Sequence, residues 1–103
     1  VVGADSPAAL IAAAFAALAD PAPAADAALP STGLPLARER QLSAAFIRVE
    51  AESGRASYGT RCSTVVVVQT TPQARRTVQI VERRFGRDGN IEGETALQLP
   101  IGA

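Results

Sequence analysis

Histidine is absent from this chain, and so are lysine, methionine and tryptophan. Without histidine, neither a Ser-His-Asp triad nor a His-ligated metal site can be built within it. The commonest acid–base group near neutral pH is missing too. The single cysteine, Cys62, excludes an intrachain disulfide and fits a reducing compartment, so the expected location is the cytoplasm. Nothing in the sequence calls for a cofactor or a metal. Ten arginines stand against ten acidic residues. That balance argues against nucleic acid, which needs a basic field. Arginine without lysine, beside so much alanine, matches the codon bias of a GC-rich genome better than phosphate recognition.

Long apolar runs are also missing. Ala8 to Ala19 is too short for a membrane-spanning helix, which takes ~20 residues. It also lacks the basic leader of a signal peptide, Asp5 being the only charge ahead of it. Aromatics are few: Phe15, Phe46, Tyr58 and Phe85. Alanine buries little area, so the core must rest on Val, Ile and Leu from the second half. At 103 residues one domain at most is expected. It divides into a helical segment with a Pro-rich connector over 1–43 and a β meander over 44–103. The chain starts at Val1 and has no Met, which predicts a partial domain belonging to a longer protein.

What is present predicts an α+β fold, helices first and an antiparallel meander after them. Ser6-Pro7 supplies an N-cap and a first-turn proline. Leu10, Ile11, Ala14, Phe15 and Leu18 then fall on one helical face, and Asp20-Pro21 ends the helix. Pro21, Pro23, Pro30 and Pro35 mark the connector, with a short helical turn at Ala24–Leu29. Leu36–Ser43 is a second helix, with Leu36 and Leu42 inward and Arg38, Glu39 and Arg40 solvated. Strands are expected at Phe46–Val49, Arg61–Thr70, Arg76–Phe85 and Glu94–Ile101. Loops are expected at Glu50–Ser57, at Thr71–Arg75 with Pro72, and at Gly86–Gly93 with its Asp88-Gly89 turn.

Residues that can carry chemistry cluster at the mouth of the second of these strand candidates. A tight Tyr58-Gly59 turn leads into Thr60-Arg61-Cys62-Ser63-Thr64, then four valines. Arg61 can meet an anionic group with paired donors. Thr60, Ser63 and Thr64 can add hydroxyls, although threonine is also favoured in strands for local reasons. Cys62 shares its face with Thr64, Val66 and Val68; with no histidine to activate it, a small core thiol is the expectation. Glu39 and Arg40 are adjacent on a helix, point apart and serve as structural anchors. Glu82 and Arg84 share one strand face and Arg83 takes the other, so cross-strand ion pairs are expected there. Leu29-Pro30-Ser31-Thr32-Gly33 matches a sortase pentapeptide. No apolar span or basic tail follows it, so it is a turn leading into the second helix.

Several blocks come in a specific order. Leu29-Pro30-Ser31-Thr32-Gly33-Leu34-Pro35 is followed by Glu39-Arg40-Gln41-Leu42-Ser43 and Ala45-Phe46-Ile47. After these come Tyr58 to Val68 and Val81-Glu82-Arg83. Over roughly residues 29 to 95 this set resembles the C-terminal portion of the NRDE-motif family, whose animal members are called transport-and-Golgi-organisation proteins. The family's Met-Cys-Thr-like start and Asn-Arg-Asp-Glu motif are not in this sequence. The resemblance implies an αββα sandwich like that of N-terminal-nucleophile hydrolases, in which a residue-one Cys, Ser or Thr attacks and its α-amine is the base. It also implies amide hydrolysis, or the handling of haem or acyl-lipid metabolites. Arg61 is then the ligand-binding contribution of this chain, and the missing N-terminal half of the protein is its partner. The alternative is a non-catalytic, stand-alone α+β module that binds a small molecule. If a layer is missing, an apolar face built on Val65, Val67, Leu97 and Leu99 should be uncovered and should drive self-association.

Overall fold

The computed structural model describes residues 6–50 and 58–102. Helix α1 (Pro7–Leu18) starts where Ser6 caps it: the Ser6 hydroxyl accepts the Ala9 N–H at 3.1 Å. Its inward residues are Leu10, Ile11, Ala14, Phe15 and Leu18, the face that the spacing predicts. A 3₁₀ turn at Asp26–Ala28 interrupts the connector, and α2 (Leu36–Gln41) follows. Strand β1 (Arg48–Val49) is shorter than expected. It pairs with β2 (Tyr58–Gly59), so Tyr58-Gly59 is a short strand and not a tight turn. The reason is close approach. A Cβ on Gly59 would sit 2.5 Å from the Ile47 carbonyl oxygen, so only glycine lets the two strands meet here. The expected Glu50–Ser57 loop lies outside the described residues after Glu50.

The main sheet is antiparallel, in the order β3 (Cys62–Thr70), β4 (Arg76–Phe85), β5 (Ile91–Ile101). Asp88-Gly89 makes the β4–β5 turn, with Gly89 at φ +81°, and a bulge at Arg84/Phe85 starts β5 at Ile91, ahead of the expected Glu94. Register assigns the two faces. Ser63, Val65, Val67, Val81, Arg83 and Phe85 point to one side; Cys62, Thr64, Val66, Val68, Val78, Ile80, Glu82 and Arg84 point to the other.

Helix α1 covers only the first face. The core there is Phe15, Val65 and Val81, flanked by Ile11, Ala14, Leu18 and Val67. The second face is open: Val66, Val68, Leu97 and Leu99 are each about half exposed. Two expectations are therefore corrected. Val65 and Val67 belong to the covered face, so the open apolar face uses Val66 and Val68 beside Leu97 and Leu99. Cys62 is exposed on that open face and is not a core thiol.

Helix α2 reverses another expectation. Leu36 is 51% exposed, while Glu39 is 6% exposed. Glu39 is buried because it has a donor: the Thr32 hydroxyl bonds to its Oε1. The turn Leu29–Gly33 thus delivers a hydroxyl to the second helix. Arg40 points away and pairs with Asp26 at 2.6 Å, tying α2 to the 3₁₀ turn.

Candidate functional site

The antiparallel pairing of β3 and β4 places the start of one beside the end of the other. The Phe85 N–H donates to the Arg61 carbonyl at 2.7 Å, so Arg61 lies next to the chain leaving β4 at Gly86 and Arg87. From the other side, Thr60 clamps the small sheet. Its N–H donates to the Ile47 carbonyl at 2.8 Å and its hydroxyl accepts the Ile47 N–H at 2.9 Å. That brings in Arg48. A shallow cleft results, lined by Arg48, Tyr58, Arg61 and Arg87 together with Gly59 and Gly86. Its enclosed volume is about 20 Å³, room for about one water.

Three arginines thus line one cleft. Arg48 makes an exposed 3.4 Å pair with Glu50. Arg61 and Arg87 have no ion-pair partner among the described residues. Nearby, the Asp88 carboxyl is held below its usual range, first by the Asn90 backbone N–H at 3.0 Å, then by the Asn90 amide at 2.7 Å, with a smaller contribution from the Arg48 charge. Such a cluster can hold a carboxylate or phosphate with several charge-assisted bonds.

The four residues proposed from sequence do not converge. Arg61 lines the cleft. Thr60 lines it, but its hydroxyl is used in the backbone clamp. Ser63 is buried on the α1 side, and Thr64 is exposed on the open face. Alternation along β3 sends these two hydroxyls to opposite sides. Arg48 and Arg87 are what sequence reasoning missed. The signal for Arg87 was the hairpin itself, since an antiparallel partner that ends at Phe85 must leave the sheet beside Arg61. Arg48 had no such signal, because β1–β2 pairing was not expected.

The charged trio on β4 divides by face. Arg83 bonds Glu94 directly across β4–β5 at 2.7 Å and lies over Phe15. On the open face, Arg84 reaches Glu82 at 3.3 Å and Thr95 at 2.8 Å. Arg83 also borders a second hollow, between the end of α1 and the sheet, with Phe15, Phe46, Ser63, Phe85 and Ile91. Among the described residues there is no cluster of metal-ligating side chains and no helix long and apolar enough to cross a membrane.

No curated protein and no solved structure matches this chain. One family model does, that of Transport and Golgi organisation 2, over residues 2–87. The match begins well ahead of the Leu29 block, so it takes in α1, and it ends at Arg87, the last guanidinium of the cleft. On that span, which is most of the chain, the protein belongs to the Transport and Golgi organisation 2 family.

Proposed function

We propose that the protein binds a small metabolite with an anionic group and an apolar body, and that Arg48, Arg61 and Arg87 hold the anion. The observation that carries this is that three arginines, from three different segments, line one cleft together with Gly59, Gly86 and Gly89. An ammonium cannot replace the planar fork of a guanidinium, and arginine is the only basic residue type used here. In the αββα reading, a second sheet lies over the open face of β3–β5 and supplies the N-terminal nucleophile. The metabolite is then a carboxylated amide, an acyl lipid or haem, hydrolysed or carried. The large uncovered surface, with its apolar centre of Val66, Val68, Leu97 and Leu99, supports such a covering layer.

The test is titration of the chain with three probes: oleate, haemin and inorganic phosphate. Oleate or haemin should bind more tightly than phosphate. Arg61→Ala should weaken that binding roughly tenfold or more, as expected for one charge-assisted bond. Thermal melts should show the variant folded. Binding that is unchanged in Arg48→Ala, Arg61→Ala and Arg87→Ala alike would remove the cleft from the function.

A further inference from the structure

We propose that the hollow between the end of α1 and the sheet holds one hydroxylated aromatic ring, that of a carboxylated amide such as an N-acyl tyrosine. The place of the carboxylate rests on the arginine-cleft reading above. The place of the ring rests on the hollow itself. Every residue that lines this hollow belongs to the described part of the chain.

Its walls and size select the occupant. Phe15, Phe46 and Phe85, three of the four aromatic residues in the chain, line it together with Ile91. Phe46 and Phe85 meet edge to face, their centroids 4.9 Å apart and their planes at 87°. An added ring can extend such packing, which is worth more than the buried area alone. The volume is about 250 Å³. A cavity of roughly 150 Å³ lodges benzene, so one ring with its substituents fits here, and a tetrapyrrole or a long acyl chain does not.

One polar group in the hollow is unused. Arg83 is committed to Glu94 and to the Phe15 ring. Ser63 is only 8% exposed, and its hydroxyl has no hydrogen-bond partner among the described residues. A buried hydroxyl without a partner carries a desolvation cost. A hydroxyl on the bound ring removes that cost, which favours a phenol over a plain phenyl ring.

Gly89 joins the hollow to the arginine cleft, because it borders both. A Cβ there would stand 3.5 Å from Arg48 Cδ and 3.5 Å from Phe46 Cε1. An arginine of the cleft and a ring of the hollow thus flank a position that carries no side chain. A ligand can lie across it, with its carboxylate among the arginines and its ring in the hollow. An aromatic amino acid carries these two groups a short distance apart, and its acylated nitrogen supplies the amide.

Calorimetric titration of the full chain with four probes tests this: N-acetyltyrosine, N-acetylphenylalanine, N-acetylalanine, and N-acetyltyramine, which lacks the carboxylate. N-acetyltyrosine should bind at least about tenfold more tightly than N-acetylalanine, from burial of the ring. It should bind about fivefold more tightly than N-acetylphenylalanine, from the added hydrogen bond. Ser63→Ala should erase the second difference. Ile91 is 57% exposed, so Ile91→Trp should fold while filling the hollow, and should erase the first. Thermal melts check both variants. No measurable binding of N-acetyltyrosine, no gain over N-acetylalanine, or an unchanged preference in Ser63→Ala or Ile91→Trp would each overturn the ring's place. N-acetyltyramine binding as tightly as N-acetyltyrosine, with Arg61→Ala silent, would overturn the carboxylate's place and the arginine-cleft reading with it, while the ring's place stands.

Discussion

The Arg83 guanidinium lies 4.0 Å from the centroid of the Phe15 ring, while its Nε donates to Glu94 at 2.7 Å. One side chain thus joins the helix to two strands. Arg83→Lys keeps the charge but loses the flat stack and the paired geometry, and should cost about 1 kcal/mol by urea unfolding. Phe15→Ala removes the most buried ring of the core and should cost about 3 kcal/mol or more. If the two variants cost the same small amount, α1 is not the cover of this sheet.

Val65 and Val66 are neighbours with opposite fates, 7% and 56% exposed. Val65→Ala should destabilise by about 1.5 kcal/mol, from lost burial and the void it leaves. In the isolated chain at high dilution, Val66→Ala should stay within about 0.5 kcal/mol of wild type. An equal cost at both sites under those conditions would mean that the open face is already covered.

The Thr32 hydroxyl satisfies the buried Glu39 carboxylate. Thr32→Val leaves that carboxylate without its donor and should cost about 1 to 3 kcal/mol. Thr32→Ser retains a hydroxyl and should recover most of this. A silent Thr32→Val would assign the Leu29–Gly33 turn no part in holding α2.

Asp88 titrates below its ordinary value of 3.8 because Asn90 donates to its ionised form. Its folded-state value is depressed, so its contribution to stability is complete above the unfolded value. It is lost as the pH falls through the folded one. The stability gap between wild type and Asp88→Ala should therefore be steady near neutral pH and should close below about pH 4. A gap that widens with acid would contradict the hydrogen bonding at the β4–β5 turn.

Ala74 sits at φ +60°, a left-handed backbone in the β3–β4 turn. An alanine Cβ is strained there, so Ala74→Gly should raise stability by about 0.5 kcal/mol once the added freedom of the unfolded chain is counted. A loss of stability would show that the turn tolerates the side chain without strain.

Much of the fold was legible from residues alone. The spacing of Leu10, Ile11, Ala14, Phe15 and Leu18 located the buried face of α1, and β-branched runs located β3 and β4. Tertiary contacts overrode local pattern elsewhere. Glu39 is buried because a hydroxyl twenty-odd ångströms of chain upstream folds back to it, which no helical periodicity reveals. Cys62 is exposed because α1 chose the odd-numbered face of β3, and a run of four valines offers either face equally. The cleft was half legible: Arg61 stood out in its motif, while Arg48 and Arg87 reach it only through pairings of distant segments.

Four consecutive valines in β3 have a further consequence. Sliding the strand by one position would exchange its two faces, yet Val65 to Val68 would look the same from either side. The run holds no information about its own alignment. That information lies at its ends. At one end Thr71 closes the turn, its N–H donating to the Arg75 carbonyl at 2.7 Å and its hydroxyl accepting the Arg75 N–H at 3.2 Å. At the other, the Phe85 N–H meets the Arg61 carbonyl. Which valine touches Phe15 is thus decided by a five-residue turn and one backbone bond, and not by the valines.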